Sequence, residues 1–225
     1  VFEDPLVAEK TSRSDFRISD LVCSKYPVSL YMQVPPSDRD RLMPLFRLIL
    51  LQIFKSFLWR PDHMADGRKK LRRLQFIAEE FPAVKKVPGF DQDIQELRRY
   101  WISCMLLCQS LKSLEEHYGK TQVIRDNCHI VTCFASSDTD AMKDISTAVG
   151  FGVEKKTSLS KKRGEWWGGG STSTTESRRA LIDPGEVRML DMDDAIVLVT
   201  GTKPLRVKKV RWFKERCFKN LGVDL

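Results

Sequence analysis

Short apolar blocks alternate with polar ones along the first part of this chain, and their spacing predicts strands and helices in turn. The block Val28 to Val34 is rich in β-forming residues and has proline on both sides, which predicts a short strand. Apolar residues then recur at helical spacing from Arg39 to Trp59, which predicts an amphipathic helix. A basic loop over residues 60–73 leads to a third apolar block that ends at Ala78. The order strand, helix, strand indicates a parallel sheet with a right-handed crossover.

The same alternation continues as far as Val149. We predict a polar helix from about Asp91 to Tyr100, a strand from Trp101 to Leu107 and a helix from Leu111 to His117. A further strand from Asp126 to Phe134 and a helix from Thr139 to Val149 follow. Repeated strand–helix steps are typical of a doubly wound sheet, whose ligands bind outside the carboxyl ends of its strands. The sequence therefore predicts an α/β fold with a mostly parallel sheet flanked by helices.

The composition changes at Gly150. Residues 150–179 are rich in glycine, serine, threonine and lysine, so we predict a flexible loop or an irregular hairpin there. A turn or short helix over residues 183–187, an apolar strand from Ala195 to Thr200 and a basic strand from Leu205 to Phe213 follow. We therefore expect an α/β region over residues 1–149, the loop over 150–179, and over 180–225 the strands that complete the same domain together with a basic tail.

Two adjacent acids, Glu79 and Glu80, come directly after the apolar block that ends at Ala78. A buried strand that delivers two carboxylates to its carboxyl end has the pattern of a Walker B motif. In nucleoside triphosphatases the first acid helps to hold Mg²⁺ and the second polarises the attacking water. Phe81 and Pro82 then end the strand, because proline lacks the N–H that a ladder needs. A strand that merely ends in two glutamates at a solvated turn is the alternative, and these residues alone leave both open.

A glutamine, Gln109, lies at the tip of the next predicted strand. From that position its amide can contact a γ-phosphate or the attacking water, or it can simply be satisfied by the backbone. The segment Gly150 to Thr157 nearly matches a phosphate loop, but Lys155 replaces the glycine that lets the backbone close around phosphate, and the segment follows a helix. We interpret that match as coincidence and find no phosphate loop in these residues.

Basic residues are concentrated near the end of a chain whose net charge is +8. Between Lys203 and Lys219 eight cations stand against a single acid. We predict nucleic-acid contacts from the middle of this run, namely from Arg206, Lys208, Lys209 and Arg211. Alternate residues of a strand face opposite ways, so only about half of the cations would meet one ligand, and binding would be weak. The interleaved apolar side chains either stack on bases or pack into the core.

Other chemistry is less well supported by the sequence. Six cysteines without a Cys-x-x-Cys pair and three scattered histidines predict neither a disulfide framework nor a metal site built from them. The apolar stretch Leu42 to Trp59 is interrupted by Arg47, Gln52 and Lys55, which would be costly in lipid. We therefore expect a chain that is soluble by itself. Because it begins with Val1 rather than methionine, we expect it to be part of a longer protein.

Taken in order, several of these segments resemble the TraG-type coupling proteins of type IV secretion and conjugation. The resemblance covers most of the chain and rests on residues 27–42, the Walker B-like segment Phe76 to Ala83, the glutamine-tipped segment Cys108 to Leu111, Tyr118-Gly119, Asn127 to His129 and residues 180–188. Each segment alone is common, whereas their shared order is specific. One departure is Glu79, which stands where the family usually has aspartate and would push its carboxylate outward by about a bond length.

The resemblance implies a RecA-like P-loop NTPase core, of which this chain is the carboxyl-terminal half of the motor domain, without the half that carries the phosphate loop. Residues 1–149 would be the distal half of the nucleotide-binding domain. The complete protein would be an ATP-driven motor that recruits single-stranded DNA or protein substrate and pumps it into the secretion channel during conjugation. In it Glu79 would hold Mg²⁺ through ATP, and Glu80 and Gln109 would be catalytic.

The resemblance also implies partners and a location. The complete protein would be a homo-hexamer at the cytoplasmic face of the bacterial inner membrane, with a relaxase–DNA substrate, single-stranded DNA and secretion-channel proteins as partners. ATP and Mg²⁺ would bind the complete protein, whereas this chain alone would bind no cofactor tightly and hydrolyse no nucleotide. Two alternatives stay open: a non-catalytic module that binds nucleic acid or protein, and a decayed remnant of such a motor.

Overall fold

A computed structural model describes residues 4–119, 123–160 and 171–219 of the chain, which forms two compact units, Val1–Asn127 and Cys128–Leu225. The helices of the first unit are α1 (Pro5–Thr11), α2 (Asp20–Cys23), α3 (Arg39–Phe57), α4 (Phe90–Asp93), α5 (Leu111–Tyr118) and α6 (Val123–Asp126). Its strands are β1 (Leu74–Ala78) and β2 (Ile102–Leu106), and short 3₁₀ helices cover Pro36–Asp38, Phe81–Val84 and Leu97–Tyr100.

The second unit is built mainly from antiparallel strands. Its elements in chain order are β3 (Ile130–Cys133), α7 (Thr139–Val149), β4 (Phe151–Ser160), β5 (Ser171–Ala180), α8 (Pro184–Arg188), β6 (Asp194–Val199), β7 (Leu205–Lys208) and α9 (Arg216–Lys219). Strands β3, β6 and β7 form an antiparallel sheet in that order. The core of the second unit is formed by Leu190 and by apolar side chains of α7, α8 and β6, namely Met142, Ile145, Val187 and Ile196.

The two strands of the first unit pair in parallel and in register, with Leu74 opposite Ile102 and Ala78 opposite Leu106. Side chains alternate between the faces of a strand, so Leu74, Phe76 and Ala78 share one face, and that face packs on the core. Because the strands are parallel, their carboxyl ends lie at the same edge of the sheet.

Helix α3 supplies the main apolar partner of this sheet. Its buried residues recur three and four positions apart and so form one face: Leu50, Ile53, Phe54 and Phe57. The ring of Phe54 contacts Phe76 on β1 and Phe90 on α4, with centroids 5.3 Å and 5.4 Å apart. These contacts bind the sheet, α3 and α4 into one core.

The predicted α/β fold class is confirmed, and the elements whose ends are set by local signals are the best predicted. Helix α7 has the predicted bounds, Thr139 to Val149. The Asp138 side chain caps it by accepting a hydrogen bond from the Asp140 N–H at 3.0 Å, and Gly150 ends it with a φ of 97°. Of the loop and the hairpin predicted after Gly150, the structure shows the strands of a hairpin, because β4 and β5 pair over ten residues each. Residues 161–170 of that prediction lie outside the described residues.

Two predictions about strands are wrong. Residues 28–34, where a short strand was predicted, form no strand and pair with none within the described ranges. Strand β3 pairs antiparallel with β6, whereas the alternation of elements had predicted a further parallel step. Both errors have the same cause: composition and periodicity specify an extended backbone but not the strand that lies beside it.

Three further elements are shorter than predicted. The strand predicted from Asp126 to Phe134 covers only Ile130–Cys133, and Asp126 belongs to α6. The polar helix predicted from Asp91 to Tyr100 is divided, because α4 ends at Asp93 and a 3₁₀ helix forms over Leu97–Tyr100. The basic strand ends at Lys208, and a hydrogen-bonded turn follows it. The division into regions 1–149, 150–179 and 180–225 stays a prediction about the complete protein. Among the described helices, none has the length and apolar character needed to cross a bilayer.

Candidate functional site

The structure brings the predicted catalytic residues to one edge of the β1–β2 sheet. Glu79 and Glu80 directly follow β1, and Gln109 lies just beyond the end of β2. The backbone keeps the two strand ends together: Leu107 N donates to Ala78 O and Phe81 N donates to Leu107 O, each at 2.9 Å. The site is therefore formed by the carboxyl ends of two parallel strands, which is where α/β sheets bind ligands.

The three side chains differ in exposure. Glu79 and Gln109 are exposed, and Glu80 is partly buried. Carboxylates bind Mg²⁺ in nucleotide sites mostly in combination with phosphate oxygens and water, so one or two acids are enough. The described residues contain no cluster of three metal-ligating side chains. The two carboxylates at this edge are ligands of the kind that completes such a set, and a Mg²⁺ role for Glu79 stays a prediction.

An aromatic cluster supports the chain directly after the two acids. Phe81 is only 1 % exposed, and its ring contacts Phe90 with centroids 5.0 Å apart. Since Phe90 also contacts Phe54, the residue that follows Glu80 is anchored in the main core of the unit. Phe81 was predicted only to end the strand, and its anchoring role depends on contacts far away in the sequence.

A strained residue, Lys85, follows the acids and was missed by sequence reasoning. Its φ of 60° and ψ of −157° lie in a region that is almost restricted to glycine. Its N–H donates to Pro82 O at 2.9 Å. Non-glycine residues in such conformations are concentrated at functional sites. No sequence signal reveals this one, because lysine gives no indication of a positive φ.

On β7 the structure gives Arg206 and Lys208 acidic partners within the chain. Arg206 lies 2.6 Å from one carboxylate oxygen of Asp194, and Lys208 lies 2.6 Å from the other. The Asp194 side chain is nearly buried, at 7 % exposure, and hydrogen bonds from Lys208 and then Arg206 lower its pKa. These two cations are thus engaged with the protein itself.

The other two predicted nucleic-acid contacts also have partners. Arg211 lies 2.5 Å from Asp193, whose pKa it lowers by hydrogen bonding. Lys209 donates to Met192 O at 2.7 Å and lies 4.3 Å from the centre of the Phe134 ring. The charge that the sequence concentrates on this run is therefore reduced by neighbouring aspartates, and a nucleic-acid role for the four cations stays a prediction.

Comparison with known proteins matches almost the whole chain. A family model described as type IV secretory system conjugative DNA transfer covers residues 1–223. The conjugal transfer protein TraG of Escherichia coli is 28 % identical over 97 % of this chain and 37 % of its own length. Protein VirD4 of Rhizobium radiobacter is 30 % identical over 98 % of this chain and 31 % of its own length. The chain thus spans about a third of the length of these relatives.

The fold is shared with a solved coupling protein. The conjugative coupling protein TrwBdeltaN70, in its trigonal form with sulphate, superimposes with a TM-score of 0.65 at 18 % identity, over 86 % of this chain and 43 % of that one. The expected RecA-like P-loop NTPase fold and the TraG-type resemblance are both confirmed. The chain belongs to the type IV secretory system conjugative DNA transfer family.

Proposed function

We propose that this chain is part of a type IV secretion coupling protein, an ATP-driven motor that recruits single-stranded DNA or protein substrate and pumps it into the secretion channel during conjugation. The observation that carries the proposal is the shared edge of β1 and β2, where Glu79, Glu80 and Gln109 follow the two strand ends. Family membership supports it. The activity belongs to the complete protein, of which this chain is about a third by comparison with its relatives.

Each side chain of the proposed site has a role that follows from its chemistry. Glu79 is exposed and holds Mg²⁺ through the nucleotide. Its side chain is one methylene longer than that of aspartate, which suits its exposed position at the edge of the sheet. Glu80 orients and polarises the attacking water, and the Gln109 amide contacts the γ-phosphate or the same water. When Mg–ATP is bound, the metal partly neutralises the charge that develops on the transferred phosphoryl group.

Related structures support ATP and Mg²⁺ as cofactors. TrwB has been solved with ADP and Mg²⁺ and with a non-hydrolysable ATP analogue. The printed sequence of this chain has no phosphate loop, so the backbone amides and the lysine that cradle the β- and γ-phosphates must come from the rest of the protein. This chain alone therefore binds ATP weakly and hydrolyses none.

The proposal extends to assembly and partners. The complete protein forms a homo-hexamer at the cytoplasmic face of the bacterial inner membrane and receives a relaxase–DNA substrate for the secretion channel. Single-stranded DNA contacts Arg206, Lys208, Lys209 and Arg211 through its phosphates, weakly and with little base preference, since each cation already has a partner within the chain. The DNA-transfer description of the family supports this assignment.

Plasmid transfer from donor cells that lack their own coupling gene tests the proposal. The full-length wild-type gene should restore transfer, whereas Glu80→Gln and Gln109→Ala should lower it, the former by several powers of ten. Glu9→Gln on α1 makes the same charge change at an exposed position and should restore transfer fully. Full transfer by Glu80→Gln at equal protein level would overturn the motor role and favour a non-catalytic binding module.

A further inference from the structure

Tyr118, at the carboxyl end of α5, touches the segment that follows Glu80 in two places. Its ring stacks on Phe81, the residue directly after Glu80, with centroids 5.6 Å apart and ring planes at 17°. Its hydroxyl accepts a hydrogen bond from Val87 N at 3.0 Å and donates one to Lys85 O at 3.4 Å. One side chain thus contacts both ends of the turn from Phe81 to Val87.

Helix α5 also begins beside the other candidate catalytic residue. Its N-cap is Ser110, which directly follows Gln109 and whose hydroxyl accepts a hydrogen bond from Ser113 N at 3.2 Å. The Ser113 hydroxyl in turn donates to Ser110 O at 2.7 Å, which fixes the first turn. A helix of eight residues is about 12 Å long and stiff on that scale. It therefore couples the tip of β2, where it begins, to the turn after β1, where its last residue is bound.

The turn depends on this hydroxyl for two reasons. Lys85 has the strained backbone described above, and the Tyr118 hydroxyl holds its carbonyl. Val87 is only 1 % exposed, so water cannot easily replace the hydroxyl as the partner of its N–H. Burial raises the pKa of Tyr118 to about 12, so the hydroxyl keeps its proton at neutral pH and can donate.

We propose that Tyr118 is a positioning residue for Glu79 and Glu80: it fixes the turn that follows them and keeps their edge in register with Gln109 through α5. This inference rests on the proposed function, because it gives the edge a catalytic use. A purely structural Tyr118 would affect stability alone and leave turnover per folded molecule unchanged.

Tyr118→Phe in the full-length protein tests the proposal, because it keeps the ring stack and removes only the hydroxyl. We expect kcat for ATP to fall at least about fivefold, the effect of losing the hydrogen bond from Val87 N, since the longer bond to Lys85 O is lost as well, with a smaller change in KM. Amide hydrogen exchange in the peptide covering residues 79–87 should become faster. Ile53→Val, which removes one methylene from the α3 core, is the matched destabilising control and should change neither kcat nor this exchange.

Each other outcome decides the question. An unchanged kcat, with or without faster exchange, would overturn the proposal, and so would a lower kcat without faster exchange or an equal loss of kcat in Ile53→Val. If Glu80→Gln leaves turnover intact, it is the proposed function that fails. The exchange comparison alone then decides whether Tyr118 holds the turn.

Discussion

Lys70 is a charged side chain that the first unit buries almost completely, at 2 % exposure. Its ammonium group lies 2.8 Å from Phe57 O and Arg60 O and 3.2 Å from Pro61 O and Tyr100 O, and its three N–H groups are shared among these four carbonyls. Burial lowers the pKa of Lys70, since it disfavours the charged form. The four carbonyls offset part of the free-energy cost of burying the charge. Lys70 also satisfies carbonyl groups at and beyond the end of α3.

Replacing Lys70 by methionine should lower the free energy of unfolding by about 3 kcal/mol, because four carbonyl groups lose a charged donor and that of Phe57 stays buried. Urea unfolding followed by circular dichroism measures the change. Lys69→Met is the matched control: its side chain is exposed, and we expect a change below about 0.5 kcal/mol. An equal effect of both substitutions would show that the ammonium–carbonyl contacts contribute little.

Lys85→Gly should increase the stability of the protein. Glycine adopts the positive φ of 60° without the cost that lysine bears, and we expect a gain of about 1 kcal/mol after the larger unfolded-state entropy of glycine is subtracted. Lys86→Gly is the control, since Lys86 has no positive φ and the same change there should destabilise. Thermal unfolding compares the two variants. A loss of stability in Lys85→Gly would mean that the residue carries no strain.

At the residue scale, sequence reasoning found the groups with a chemical signal and missed those that act through contacts. Glu79 and Glu80 were predicted because two acids after an apolar block form a local pattern. Lys70, Lys85 and Tyr118 carry no such pattern. Their roles depend on partners such as Phe57 O and Val87 N, which are far from them in the sequence and become neighbours only in the fold.

At the scale of elements, too, features set by neighbouring residues could be predicted from the sequence, and features set by distant residues could not. Helix α8 was predicted as a turn or short helix, and it begins with a capping box in which Asp183 and Glu186 satisfy each other's backbone N–H groups. That signal lies within four residues of sequence. The pairing of β3 with β6 joins residues more than sixty positions apart, and no local feature of either strand specifies the other.

Strand β7 carries two of the four cations predicted to contact nucleic acid, Arg206 and Lys208. Its cations were expected to meet a polyanion, but Arg206 and Lys208 share the carboxylate of Asp194. Asp194 lies on the adjoining strand β6, at the position where these two cations would otherwise attract a phosphate. A polyanion would therefore compete with Asp194 for these two cations, and their nucleic-acid role stays a prediction.

Asp194→Asn should strengthen single-stranded DNA binding if Arg206 and Lys208 contact phosphate, because both cations lose their shared negative partner. With labelled oligonucleotides titrated at several salt concentrations, the slope of log affinity against log salt should become steeper by about 1. Asp140→Asn on α7 makes the same change in net charge and should leave the slope unaltered. A steeper slope in Asp140→Asn alone, or in neither variant, would place the DNA contacts outside β7.

At the scale of the whole molecule, two of the three described sheets keep one apolar face open within the described part of the chain. On the β1–β2 sheet Ile77 is 58 % exposed and Met105, directly opposite it, is 53 % exposed. On the β3–β6–β7 sheet Ile130 is 59 % exposed and Leu205 is 50 % exposed. Parallel sheets are normally covered on both faces. The open face of the parallel β1–β2 sheet agrees with a chain that spans about a third of the length of its relatives, since the sequence had predicted a mostly parallel sheet flanked by helices.

The central claim is that Glu80 completes a nucleotide-hydrolysing site at the edge shared by β1 and β2. The most direct measurement is Mg²⁺-dependent ATP turnover by the purified full-length protein, combined with ATP binding, for the wild type, Glu80→Gln and the exposed control Glu9→Gln. We expect Glu80→Gln to lose several powers of ten in turnover while its affinity for ATP stays close to that of the wild type, and Glu9→Gln to match the wild type in both. Turnover by Glu80→Gln equal to that of the wild type, or a loss of binding as large as the loss of turnover, would contradict the account.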